Sequence, residues 1–145
     1  MSDDNSRIPT HALSLWQPWT EAIFYGPKRV ENRSWAPPKT FHGKRLALHT
    51  AKKYDDWSDN FIRALWPEFD DAKRFPAGHI VGIVTLTGSR RVREGQPVTD
   101  PWACGPCAWE LADPVTLAAP IPIRGAQGLW ALPPNALASL RDQLI

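Results

Sequence analysis

Cysteine is scarce in this chain. Only Cys104 and Cys107 occur among 145 residues, too few for a secreted scaffold stapled by disulfides, and this fits a reducing compartment. Also missing is any stretch approaching the roughly 18 consecutive apolar residues that span a bilayer. Residues 1–9 are polar and lack the apolar centre of a signal peptide. The expected location is therefore cytoplasmic, with no membrane partner. Long uninterrupted helical runs are absent too, because fifteen prolines and nine glycines break the chain into short elements and disfavour a helical bundle. No sign of charge dominates, the net value being +2.

What is present is enough apolar material for one core. With 43% hydrophobic residues, a chain of this length buries about 70% of its unfolded surface. The expected organisation is a flexible leader at residues 1–10 and a single domain over 11–145, of α+β class with a barrel-like sheet flanked by short helices. His11 to Leu15 reads as a strand, and Pro18 opens a helix that Gly26 ends. Lys28 to Trp35 alternates as a strand would, with Lys28, Val30 and Asn32 on one side and Arg29, Glu31, Arg33 and Trp35 on the other. Arg45 to Thr50 is a strand. Tyr54 to Trp66 reads as a helix whose Trp57, Phe61, Ile62, Leu65 and Trp66 share one core-facing side. His79 to Thr87 is apolar on both alternating faces, the mark of a central strand. Further strands are expected at Ala108–Leu111, Val115–Ile123 and Gly128–Leu132, then a short amphipathic helix from Pro134.

Charge is concentrated although its total is small. Between Gly26 and Lys53, eight basic residues (Lys28, Arg29, Arg33, Lys39, Lys44, Arg45, Lys52 and Lys53) stand against the single acid Glu31. A polyanion would be drawn there. From Asp55 to Asp71 the sign reverses, so this segment is expected to face away from any phosphate. Arg90, Arg91 and Arg93 form a second basic cluster, either a phosphate track or a solvated loop. Eight tryptophans accompany these charges. Trp57, Trp66, Trp109 and Trp130 are read as core, whereas Trp16, Trp19 and Trp35 are as suited to a surface platform.

Several of these stretches together carry a resemblance. Residues 12–23 (ALSLWQPWTEAI) and 26–35 (GPKRVENRSW) are followed by 46–52 (LALHTAK), 76–84 (PAGHIVGIV), Trp109-Glu-Leu, Asp113-Pro114 and 120–130 (PIPIRGAQGLW). In this order they resemble the ASCH family, whose members have a PUA-like β-barrel. The resemblance implies a cleft lined by the Trp16 to Trp19 turn, the 26–35 segment and the His49 to Lys52 strand end. Its implied partner is RNA, another single-stranded nucleic acid, or a nucleotide. Residue chemistry agrees, since Lys and Arg neutralise phosphates and exposed indoles stack on bases. The nucleic-acid-binding set so expected is Trp16, Gln17, Trp19, Lys28, Glu31, Arg33, Trp35, His49 and Lys52. Lys28, Arg33 and Lys52 are to meet phosphates, and Glu31 or His49 to read a base edge.

Some small bacterial relatives resemble enzymes, among them ribonucleases and hydrolases of acetylated cytidine. In the latter a Lys and a Thr three residues on act with a separate Glu. Lys28 matches that Lys, but Glu31 stands where the Thr belongs, so the reaction does not carry over directly. The alternative function is thus a metal-independent hydrolase acting on RNA or a modified nucleoside, with Lys28 and Glu31 as catalytic residues; equally, the two are only an ion pair. No cofactor is implied. Cys104-Gly-Pro-Cys107 has the spacing of a redox centre, yet a strand rather than a helix is expected after it and no βαβ unit precedes it. No second ligand pair has metal spacing, so no metal is expected.

Overall fold

Alternating apolar side chains build one mixed sheet that is covered on both faces. The computed structural model describes residues 7–97 and 99–145. Six strands, β1 (His11–Gln17), β2 (Val30–Arg33), β3 (Lys44–Tyr54), β4 (His79–Arg91), β5 (Cys107–Pro122) and β6 (Leu129–Ala131), lie in the order β2-β5-β4-β3-β1-β6. β1 and β3 are parallel, and the other neighbours are antiparallel. Helices α1 (Trp19–Phe24), α2 (Asp59–Leu65) and α3 (Pro134–Leu144) complete the α+β architecture. The sheet ends at β2 and β6, which do not pair among the described residues, so the expected barrel takes the form of an open sheet.

Period-two patterning sends neighbouring residues to opposite cores. Ala12 of β1, Ala47 of β3 and Ile83 of β4 pack with Leu117, Trp130, Ala136 and Leu140 under α3. Leu13, Leu15, Leu46, Leu48, Val84 and Leu86 pack on the other face with Ile23 and Trp109. Burying each such aliphatic side chain is worth about 1.5–3 kcal/mol. β4 is the twice-covered central strand expected from its sequence. A Cβ at Gly82 would lie 2.4 Å from the Phe24 ring, so glycine is what allows α1 to dock there. α3 starts with Pro134 in its first turn and buries Ala136 and Leu140, as its amphipathic pattern predicts.

Three expectations are corrected. The helix expected from Tyr54 is shorter: β3 continues to Tyr54, a 3-10 turn spans Asp56–Ser58, and α2 covers only Asp59–Leu65. Gln17 of β1 pairs with Tyr54 and holds the strand extended past Thr50. Trp57 therefore leaves the core and is 77% exposed, while Trp66 is half-buried. The two strands expected on either side of Asp113-Pro114 are one 16-residue strand with a bulge. Asp113 takes a positive φ of 50°, a conformation Asp tolerates, and Pro114 has no N–H to contribute to the ladder. Of the leader, residues 1–6 lie outside the described residues, and Ile8 is buried in the α3-side core.

Candidate nucleic-acid interface

The parallel pairing of β1 with β3 is interrupted between Leu15 and Gln17, and this irregularity turns Trp16 outward. Trp16 is 40% exposed, whereas Leu15 and Gln17 on either side are buried. Next to it, α1 begins at Trp19, whose indole Nε1–H donates to Asp55 Oδ2 at 3.1 Å. β2 runs opposite, presenting Glu31, Asn32 and Arg33. Together Ser14, Leu15, Trp16, Trp19, Glu31, Asn32 and Arg33 line a hollow of about 220 Å³.

Glu31 is the electrostatic centre of this hollow. Its Oε1 lies 3.3 Å from Lys28 Nζ, and its Oε2 lies 3.2 Å from Arg33 Nε. Arg33 Nη2–H donates to the Ser14 carbonyl at 2.7 Å, but Arg33 Nε is buried without a well-formed hydrogen bond. One carboxylate is thus held between two cations. Lys28 is not the phosphate contact its sequence position suggests. Its side chain is 2% exposed. The ammonium donates to the Val30 carbonyl and sits 5.5 Å from the centroid of Trp19. Burial lowers the Lys28 pKa, and the adjoining Glu31 carboxylate opposes that shift. Lys28 reaches the hollow only by positioning Glu31.

Four other expected residues are redistributed. Gln17 is buried, donating to Glu21 Oε2 at 3.2 Å and to the Phe75 carbonyl at 2.8 Å, so it anchors α1 rather than shaping the hollow. Trp35 stands edge-on to Trp109 with ring centroids 4.8 Å apart and accepts the Trp109 Nε1–H through its carbonyl. It does not line the hollow. Lys52 is exposed on the wall of a second hollow of about 850 Å³, with Ser14, His49, Gly78, Arg124 and Gln127. Ser14 lines both hollows.

His49 also lines the second hollow, but both ring nitrogens are occupied. Nδ1 is 2.9 Å from Ser14 Oγ, which itself receives the Trp130 Nε1–H at 3.2 Å, and Nε2 is 2.8 Å from the Ile123 carbonyl. The carbonyl requires Nε2–H, and Nδ1 then accepts from the Ser14 hydroxyl. This neutral His49 has no edge left to read a base. Gly125 packs directly on the pair: a Cβ there would lie 2.6 Å from Ser14 Oγ and from His49 Cε1.

Burial lowers the His49 pKa below 6.5, assisted by His79 and opposed by the Ile123 carbonyl. Below pH 6.5 the unfolded chain takes up this proton before the folded one, so stability falls as pH drops toward the folded pKa. The His49 contribution approaches at most about 1.4 kcal/mol per pH unit. Urea unfolding of the parent should show a steeper loss between pH 7 and pH 5 than the His49→Gln variant does. Equal slopes would remove His49 as the responsible group.

Sequence reasoning left Lys53 out of the site and read its second aromatic partner, Trp57, as core. Lys53 Nζ lies 4.4 Å from the Trp16 centroid and 5.7 Å from that of Trp57. Alternation along β3 was the available signal, hidden because the strand was expected to end at Thr50. The acidic stretch does not turn wholly away, since Asp55 braces Trp19. Arg90 lies 3.8 Å from Asp100 and 3.9 Å from Glu110, in neither hollow. Cys104 is exposed and Cys107 opens β5, so a strand follows the motif. Asn32 Oδ1 accepts from the backbone N–H groups of Cys104 and Gly105, each at 3.0 Å, tying that turn to β2.

Comparisons with known proteins agree on one family. The family model described as the ASCH domain matches residues 13–121. Activating signal cointegrator 1 of Homo sapiens is 27% identical over 128 residues, 83% of this chain and 22% of that protein, so the chain spans a minor part of that relative. The crystal structure of ASCH from Zymomonas mobilis superposes with a TM-score of 0.56 at 16% identity, covering 91% of this chain and 93% of that one. A point variant of the Zymomonas mobilis protein gives 0.56 at 17% identity, over 94% and 96%. At these identities the structures speak for the fold.

Proposed function

The chain belongs to the ASCH domain family, and on that premise we propose that it binds single-stranded nucleic acid, RNA in the first place, by seating one base in the hollow beside Trp16 and Trp19. The observation that carries this reading is the Glu31 carboxylate, fixed between Lys28 and Arg33 in a hollow that the exposed Trp16 also lines. A planar base stacked on Trp16 would turn its Watson–Crick edge toward a pre-positioned acceptor, Glu31, and a donor, Arg33. The hollow, at about 220 Å³, is smaller than the roughly 300–1,000 Å³ of ordinary ligand pockets and suits a base better than a whole nucleotide. Sugar and phosphate must then lie outside it. Lys53 stands beside Trp16 on the β3 side to meet them.

Hydrolysis is the less favoured reading. Lys28, the candidate base, does not line the hollow and would have to act through Glu31. Titration of tryptophan fluorescence with short single-stranded RNA and DNA at two salt concentrations tests the binding reading, provided the same mixtures are assayed for cleavage. The expected result is salt-sensitive quenching with intact RNA, and loss of about 1–3 kcal/mol of affinity in Trp16→Ala. A Trp16→Ala variant that binds like the parent would sink the base-seating proposal. RNA cleavage that survives purification and disappears in a folded Lys28→Met variant would establish the hydrolase instead.

A further inference from the structure

We propose that the larger hollow is an anion seat that holds a phosphodiester group of the bound strand, with Lys52 and Arg124 as its charged contacts. The inference rests on the base-seating reading, because the two hollows are lined in common by Ser14 and so lie within one bound strand's reach. Its own support is the composition of the wall. Two cations line this hollow of about 850 Å³ and no carboxylate does. Among the described residues neither Lys52 nor Arg124 has an ion-pair or hydrogen-bond partner, unlike Arg33, Arg63 and Arg90, which all face carboxylates.

The backbone supports the same ligand. Residues 124–127 form an irregular loop along the wall, and their N–H groups have no acceptor among the described residues. Successive free N–H groups beside two cations suit an anion with several oxygens. The loop is also well supported. Gly125 packs on Ser14 and His49, the Ile123 N–H donates to the Gly78 carbonyl at 3.0 Å, and β6 begins at Leu129. His49 contributes shape rather than a free polar edge, because both its nitrogens are engaged. Arg124 and Gln127 thereby join the interface, although nothing in their local sequence marks them as phosphate contacts. A phosphodiester is favoured over a carboxylate ligand because the hollow, at about 850 Å³, is far larger than a carboxylate fills and both of its cations are exposed.

The test compares the parent with Arg124→Ala, Lys52→Ala and Arg124→Lys, all at exposed positions. Each is titrated with oligouridylate and oligoadenylate over a range of salt, and with uridine and adenosine, which carry no phosphate. Each alanine variant should reduce the slope of log K against log salt by about 0.7. The reduction should be the same for both RNAs, as expected of a contact to the backbone. Arg124→Lys should restore the slope, and nucleoside affinity should not change. If the parent binds RNA and the alanine variants keep its slope, the seat is refuted while the base-seating reading survives. If the parent binds no RNA, both fall together. Inorganic phosphate titrated into the free protein separates the remaining case: tight binding that Arg124→Ala abolishes, with an unchanged RNA slope, would make this a free-anion site and overturn its assignment to the strand.

Discussion

Replacing Trp109 with alanine is expected to cost about 3–5 kcal/mol of folding stability, enough to unfold a large fraction of a marginally stable domain. Trp109 is fully buried in the core between the sheet and α1. Truncation leaves a cavity of indole size and removes the Nε1–H donor that the Trp35 carbonyl receives at 2.8 Å. It also removes the edge-to-face contact with the Trp35 ring. Trp109 lies directly opposite Glu31 in the β5–β2 ladder, so loosening it also loosens the strand that carries Glu31. Trp57→Ala is the matched control, because the same side-chain type at 77% exposure should change stability by less than about 0.5 kcal/mol. Urea unfolding of both variants checks the pair. Similar losses from the two would mean that their burial does not govern their contribution.

Which parts of this molecule were legible follows from how local each signal is. The apolar run at His79 and the strand expected at Arg45 to Thr50 are both strands in the sheet, with Leu46 to Thr50 buried throughout. Trp109 and Trp130 are core, as expected of large aromatics that supply buried area. Trp57 misled because its helical spacing from Phe61 looks like a buried face. Its position is decided instead by the pairing of Gln17 with Tyr54, a contact between residues far apart in sequence. The same nonlocality governs the site. Lys28 has the residue type of a phosphate contact, but it is buried, its ammonium enclosed by Trp19, the Val30 carbonyl and Glu31. His49 resembles a base reader until Ser14 and the Ile123 carbonyl take its two nitrogens. Strand alternation alone sends Glu31 and Arg33 to one side, and both line the smaller hollow. Arg124, on the wall of the larger one, carries no such signal because it stands in an irregular loop.

The interdependence of Lys28 and Glu31 predicts an asymmetry that a surface ion pair would not show. Glu31→Ala should cost about 3–5 kcal/mol near neutral pH, because it leaves an ammonium that is 2% exposed with the Val30 carbonyl in place of a counter-charge. Lys28→Met should be near neutral or stabilising, because an apolar chain fills the same volume and Glu31 keeps Arg33 at 3.2 Å. The double variant should recover most of the loss seen in Glu31→Ala. The pH dependence has a definite sign. Burial holds the Lys28 pKa below 10.5 in the folded chain, so between that lowered value and 10.5 the unfolded chain carries a proton that the folded chain lacks. Stability contributed by this group therefore rises with pH across that window. Removing Glu31 deletes the attraction that opposes the shift, so the rise should begin at lower pH in Glu31→Ala, and the deficit against the parent should narrow toward pH 10.5. Lys28→Met should lack this component entirely. Unfolding curves at several pH values decide the matter: equal and small losses from both single variants would make the pair a solvated contact. The same variants then separate positioning from phosphate binding, since a folded Lys28→Met protein should keep the parent's salt dependence for RNA, and a slope lower by about 0.7 would return Lys28 to the phosphate surface.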